Sequence, residues 1–170
     1  MGDGNCLFRC LSHALWRTEQ HHQLVRHHVV CHFPQVWQHP RVQYSSRMWY
    51  LKKTKQEALI TNISSFPLSV EEYVSVSKMN DLFVYGGSTE LEAAAQFLQT
   101  PIRVYYEGNR NIPACSWIVY GEEYVTENAK SVILQWKNEN HFDYVKKMWM
   151  LCVVCEKFLF VCSKQTDAGM

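Results

Sequence analysis

No stretch of this 170-residue chain reaches the roughly eighteen consecutive apolar positions that a bilayer-spanning helix requires. The nearest, Trp149 to Val161, is broken by Glu156-Lys157. No sign of charge prevails either: 17 Lys and Arg against 16 Asp and Glu leave a formal net charge of +1. Bulk attraction to nucleic acid or to an anionic membrane is therefore excluded as a driving force. A basic n-region leading into an apolar h-region is missing, so the first residues do not read as a secretory signal. With no such leader and an odd count of 7 cysteines, a reducing compartment and mostly free thiols are expected, in the cytoplasm or also the nucleus. Internal repeats, low-complexity tracts and linker-like shifts in composition are absent too.

What is present is the composition of a folded domain: 47% hydrophobic and 14% aromatic residues in a chain long enough to bury a core without staples. The charge is unevenly spread. Residues 1–55 carry Arg9, Arg17, Arg26, Arg41, Arg47, Lys52, Lys53 and Lys55 against Asp3 and Glu19, with seven of the 8 histidines. A solvated basic face is the plain reading of that surplus. The six tryptophans read mainly as core.

Leu7, Leu11 and Leu15 recur at helical spacing, with Asp3-Gly4-Asn5 supplying turn and cap chemistry before them. A second helical pattern through Leu24, Val25, His28 and Val29 stops before Phe33-Pro34. Between Gln35 and Ser65 the pattern is ambiguous, with a helix over Lys52 to Ile63 that turns Ala58 and Leu59 inward. Ser69 with Glu72 makes a capping box, and Thr89-Glu90-Leu91-Glu92 makes another, opening a helix that runs to Leu98 after the tight loop Tyr85-Gly86-Gly87. Thr100-Pro101 ends that helix. Ile102 to Tyr106 alternates as a strand, and Tyr120 and Val125 hint at short ones. Ser131 to Trp136 is an apolar strand, Lys137 to Asn140 a turn, and His141 to Val145 the returning strand. Helices first and strands later predict an α+β fold.

Cys6 stands between the turn and the helix rather than within the apolar stripe, where Cys10 lies. A helix N-terminus lowers a thiol pKa by bringing partial positive charge and free N–H groups to the sulfur, so Cys6 is a candidate nucleophile. Bending at Asp3-Gly4-Asn5, eased by Gly4, would aim backbone amides at a tetrahedral oxyanion. A thiolate also wants an imidazole. His141 is the one histidine outside the N-terminal cluster, and alternation along a strand puts His141, Asp143 and Val145 on one face. Asp143 is then placed to orient the ring, and Asn140 offers a second way to do so. Taken by spacing alone, a strand-end His near an Asp is also a common surface pair.

Asp3-Gly4-Asn5-Cys6-Leu7-Phe8-Arg9 resembles the nucleophile motif of the ovarian tumour (OTU) family of cysteine proteases. Tyr85-Gly86-Gly87 with Glu90-Leu91-Glu92-Ala93, continued by Leu98 to Val104, resembles that family's glycine loop and following helix. Asn140-His141-Phe142-Asp143-Tyr144-Val145 resembles its histidine strand. The likeness spans residues 3 to 146 with three motifs in order. It implies an OTU-like fold, a small central sheet flanked by helices, over a catalytic domain of residues 1–147, with 148–170 as a C-terminal extension. It further implies a deubiquitinase cutting the isopeptide or peptide bond after the C-terminal glycine of ubiquitin. Cys6 would be nucleophile, His141 general base and then acid, and Asp143 the orienting group. Asp3 belongs to the motif as a catalytic position, and with Gly4 and Asn5 shapes the oxyanion loop. Tyr85, Gly86, Gly87, Asn140 and Phe142 would meet the substrate. The implied partner is ubiquitin or a polyubiquitin chain, or a ubiquitin-like modifier, and the chain is expected to act as a monomer.

Departures accompany the likeness. Tyr85 stands where Trp is usual before the paired glycines, and the motif opens the chain, as it would in an N-terminally shortened domain or a fragment. Met148 to Val161 resembles nothing in the family, and its apolar residues read as a final strand or helix.

Thiol attack, acylation and hydrolysis use only these side chains, so neither metal nor cofactor is expected. Cys152-Val153-Val154-Cys155 has no second pair at zinc spacing, and His21-His22 with His27-His28 fit an exposed helical face. Cys10, Cys31 and Cys115 read as buried or idle thiols. Basic and aromatic residues mingle from Arg41 to Lys55, yet the near-neutral total argues against RNA. Two alternatives to the deubiquitinase remain: a non-catalytic ubiquitin-binding domain of this kind, and a protease processing a viral or mobile-element polyprotein.

Overall fold

The computed structural model describes residues 3–106, 116–127, 130–137, 141–145, 148–150 and 158–160. Five α-helices precede the strands: α1 (Cys6–Trp16), α2 (His22–Val36), α3 (Pro40–Lys53), α4 (Val70–Ser77) and α5 (Ser88–Leu98). The strands β1 (Ile102–Tyr106), β2 (Ser116–Tyr120), β3 (Val132–Lys137) and β4 (His141–Tyr144) form one sheet in the order β2-β1-β3-β4. The sheet is mixed: β1 runs parallel to β3, while β2 and β4 are antiparallel to their neighbours. Two further strands, β5 (Met148–Met150) and β6 (Phe158–Phe160), pair antiparallel with each other. The architecture is α+β.

Apolar spacing accounts for the core. Leu7, Phe8 and Leu11 of α1 are fully buried, as are Val29 and Phe33 of α2, Ala93 to Ala95 of α5, and Ile102 and Leu134 of the sheet. The α1 stripe runs out sooner than its spacing suggests, since Leu15 is exposed. α2 continues through Pro34 rather than stopping before it. The proline falls in the last turn, where it removes a single backbone bond. Phe33 packs on Trp37 and Tyr73 and holds that turn in place.

The ambiguous middle resolves into α3 and a 3-10 segment, Glu57–Ser65. Ala58 and Leu59 face water there, and Ile63 faces in. A 3-10 turn carries three residues rather than 3.6, which rotates the inward position away from the α-helical expectation. Ser69 caps α4 by accepting from the Glu72 amide at 3.1 Å, but the Glu72 carboxylate binds the Tyr50 hydroxyl instead of closing the box. At α5 the N-cap is Gly87, not Thr89, and the Glu90 carboxylate accepts from the Gly87 amide at 2.7 Å. Val125 follows a 3-10 turn, Glu122–Tyr124, and lies in no strand.

Among the described residues no helix is long and apolar enough to cross a membrane. His21, His27 and His28 face outward as their spacing suggests, Cys10 is buried and Cys31 is exposed. Trp37 is core, whereas Trp16 is exposed. Cys115, Cys152, Cys155 and Cys162 lie outside the described residues.

Candidate active site

β4 is an edge strand, and in an antiparallel ladder alternate residues of an edge strand point their N–H and C=O away from the sheet. Phe142 is such a residue, and α1 covers it. The Cys10 thiol donates to the Phe142 carbonyl at 3.3 Å, and one helical turn earlier the Phe142 amide reaches the Cys6 sulfur. The first turn of α1 and the strand that carries His141 are thereby fastened together, although they lie at opposite ends of the described domain.

On the other side of β4 the alternation works as expected. His141 Nε2 lies 2.9 Å from Asp143 Oδ1, which fixes the ring and leaves Nδ1 as the nitrogen open to a further partner. The cross-strand register sets Lys137 opposite His141, and Lys137 Nζ meets Asp143 Oδ2 at 2.8 Å. Burial raises the Asp143 pKa, but the hydrogen bond and charge of Lys137, with those of His141, outweigh it and hold the carboxyl below its ordinary value.

Cys6 is the first residue of α1 and only 6% exposed. Burial pushes its thiol up, against the lowering by the amides of Phe142 and Leu7, and the Asp3 charge adds to the rise. The expected lowering at the helix start is thus present in the amides but overtaken by desolvation. A sulfur held this way needs a base to activate it.

The turn before it is built by its own side chains. Asp3 Oδ1 accepts from the Asn5 amide at 3.0 Å, and its other oxygen pairs with Arg9. Burial raises the Asp3 pKa, yet those hydrogen bonds and the Arg9 charge leave it lowered overall. Both Asp3 oxygens are thus engaged. The Asn5 amide is the one that Asp3 engages. The Asn5 side chain does not cap α1; it turns inward, 1% exposed, and accepts from Phe83 N at 3.3 Å. Gly4 has φ +75°, and a Cβ there would stand 2.1 Å from the Phe83 carbonyl oxygen.

The glycine loop closes the site from the other side. A Cβ on Gly86 would fall 2.7 Å from Leu7 Cδ2, so glycine lets this loop lie against α1 without displacing the Leu7 side chain. Tyr85 is 44% exposed beside it. Below the loop a cavity of about 900 Å³ runs between α3, the start of α5 and the sheet, lined by Tyr44, Met48, Trp49, Tyr106 and Trp136 among others. The Phe142 side chain lines it too, buried and stacked on Trp136. Asn140 lies outside the described residues.

A family model described as OTU-like cysteine protease matches residues 1–142. The chain belongs to the OTU-like cysteine protease family. Solved OTU structures share the fold. The OTUD1 OTU domain is 19% identical, with a TM-score of 0.57 over 85% of this chain and 80% of that one. The viral OTU protease of Farallon virus is 17% identical, TM-score 0.58, over 85% and 79%. The Hazara virus OTU, solved bound to ubiquitin, is 13% identical, TM-score 0.56, over 95% and 78%. A sequence search of curated proteins finds no match.

Three residues of this OTU domain's site were not singled out from the sequence. Lys137 carries a signal that could have found it: it ends β3 with three residues between it and His141, so an antiparallel return sets it opposite His141 and next to Asp143. Arg9 closes the motif, six residues from the acid it binds. Arg26, counted with a solvated basic face, is 2% exposed and lies within the buried stripe of Val25, Val29 and Phe33. As for metals, His39, Glu92 and Glu123 bring ligand atoms within 4.8 Å of one another, away from the candidate nucleophile. Arg41 Nη1 already stands 3.9 Å from Glu92 Oε2 and supplies a cation there.

Proposed function

We propose that this OTU-like protease is a deubiquitinase, hydrolysing isopeptide or peptide bonds after the C-terminal glycine of ubiquitin through Cys6, His141 and Asp143. The observation that carries the reading is the engagement of His141 Nε2 by Asp143 on the strand whose next amide reaches the Cys6 sulfur. Such an arrangement leaves Nδ1 to take the thiol proton. Sulfur then attacks the glycine carbonyl carbon, and the carbonyl electron pair moves to oxygen. Amides at the start of α1, Cys6 and its neighbours other than Asn5, are the donors available to that oxygen. Collapse breaks the C–N bond while His141 gives its proton to the departing lysine amine, leaving a thioester. Water, deprotonated by the same ring, releases the ubiquitin carboxylate and restores the thiol. Ubiquitin is favoured as substrate because the Hazara virus relative was solved bound to it.

In this reading residues 1–147 form a monomeric catalytic domain working in the cytoplasm or nucleus, and 148–170 are an extension. Tyr85 to Gly87 border the path of the ubiquitin tail. A ubiquitin probe ending in an electrophile should label Cys6, and a panel of ubiquitin dimers should be cut by the parent and not by Cys6→Ala, which should still bind ubiquitin. Cleavage by Cys6→Ala at the parent rate would refute the assignment. Binding of ubiquitin without any cleavage by the parent would favour a non-catalytic ubiquitin-binding domain.

A further inference from the structure

A buried guanidinium normally has to answer for its desolvation with a full set of acceptors. Arg26 of α2 meets that demand at its two terminal nitrogens, mostly from backbone carbonyls of two separate segments, while its buried Nε has no partner among the described residues. Its Nη1 donates to the Met79 carbonyl at 3.1 Å and to Met79 Sδ at 3.5 Å. Its Nη2 is directed at the Gly4 carbonyl at 3.2 Å, Asn5 Oδ1 at 2.9 Å and the Val84 carbonyl at 2.8 Å. The guanidinium carbon lies 4.1 Å from the centre of the Phe8 ring, in the first turn of α1. Glu90, also buried, provides the largest share of the countercharge.

These contacts are not scattered. Gly4 and Asn5 are the turn that delivers Cys6, and Phe8 belongs to the same helix start. Met79 and Val84 bracket the segment that leads into Tyr85-Gly86-Gly87. One planar fork therefore touches the nucleophile turn on one side and the approach to the glycine loop on the other. Asn5 Oδ1, shared between Arg26 and the Phe83 amide, is the stitch between the two.

We propose that Arg26 is a positioning residue for the thiol protease reaction, holding the nucleophile turn and the glycine loop in register through Nη2, which bridges them, with Nη1 anchored on Met79. The proposal rests on the reading of Cys6 as nucleophile. Lysine keeps the charge but brings one nitrogen in place of a rigid planar fork, so it cannot span the Met79 carbonyl and the Gly4, Asn5 and Val84 acceptors together. The turn then loses its alignment to the reacting carbonyl while the sulfur itself is untouched. Misplacement of about 1 Å costs roughly 100-fold in rate in such sites.

The test compares the parent, Arg26→Lys, Asn5→Ala and the double variant in the full chain. Four quantities are read: melting temperature, amide exchange over residues 4–6 and 83–87, kcat and KM on a fluorogenic ubiquitin C-terminal amide, and alkylation of Cys6 by iodoacetamide. In folded Arg26→Lys, exchange should quicken in both segments and not in β1. Its kcat/KM should fall about 10- to 100-fold, mostly in kcat, with alkylation within about threefold of the parent. A merely structural role would lower turnover only in proportion to the folded fraction and speed alkylation of a sulfur no longer buried. The double variant should lose less than the product of the two single losses, because both act through one contact. A folded Arg26→Lys that turns over within twofold of the parent, or that loosens one segment only, overturns the proposal. Should Arg26→Lys fail to fold, Asn5→Ala takes its place, and unchanged exchange at 83–87 overturns it. If the parent neither cleaves ubiquitin nor is labelled by its probe, the functional reading fails separately, and exchange over the two segments alone decides whether Arg26 tethers them.

Discussion

Asp143 binds the Lys137 ammonium and the His141 ring at once, and that explains both its lowered pKa and its candidate role. Replacing it with Asn keeps the shape but offers His141 an amide that no longer enforces one tautomer. We expect kcat to fall by roughly 10- to 100-fold in Asp143→Asn, less than in His141→Ala, because the ring itself is retained. Measurement on a fluorogenic ubiquitin amide checks the order of the two losses. The same residue predicts a pH dependence. A folded-state pKa held below the unfolded value contributes stability that is present above the unfolded pKa and is lost as pH falls through the folded one. The gap in urea midpoint between parent and Asp143→Asn should therefore be flat from neutral pH down to about 5 and shrink below about 4. An undiminished gap at pH 3 would contradict the ion pair. Gly4 is a second residue-scale case. With φ at +75° and the Phe83 carbonyl at the place of a Cβ, Gly4→Ala has to move backbone. A loss of about 2–4 kcal/mol is expected, several degrees or more in Tm, read by calorimetry.

Elements meet here by satisfying one another's loose ends. α1 covers the outward groups of edge strand β4 with two thiols one turn apart, which seals an exposed edge and also brings Cys6 to the histidine strand. α5 begins on a glycine with no side chain to cap it, so Glu90 reaches back to the Gly87 amide while its other oxygen takes the Tyr73 hydroxyl at 2.8 Å. Two donors converge on one buried carboxylate. Glu90→Gln sets an NH2 against one of them, leaving a buried donor facing a donor. The expected cost is roughly 1–3 kcal/mol in chemical denaturation, with slower turnover because the glycine loop is anchored there. Unchanged stability would show that the cap is dispensable. Local chemistry made α5 legible before its geometry was known, although the cap fell two residues earlier than Thr89 suggested. The sequence was less legible at Glu57–Ser65, where tertiary packing selects a 3-10 turn and the α-helical period points to the wrong face.

Across the whole molecule, the site exists only when five helices and the sheet are assembled around it. Cys6 and His141 come from opposite ends of the described domain, with Arg26 and the glycine loop between them in the chain. Of the three candidate catalytic residues, only His141 and Asp143 share an element, β4. Labelling of Cys6 by a ubiquitin probe and tryptophan fluorescence should therefore be lost together in urea, in one transition. Loss of labelling well before the fluorescence change would mean that the site opens as a separate unit. The amino-acid sequence determined the motifs, the apolar faces of α1 and α5, and the pairing of His141 with Asp143, because these depend on spacing within a single helix or strand. It could not reveal that Arg26 is buried, that Asn5 turns inward, or that burial outweighs the helix start at Cys6. Those depend on which distant segments pack together, and desolvation and long-range hydrogen bonds have no local period to betray them.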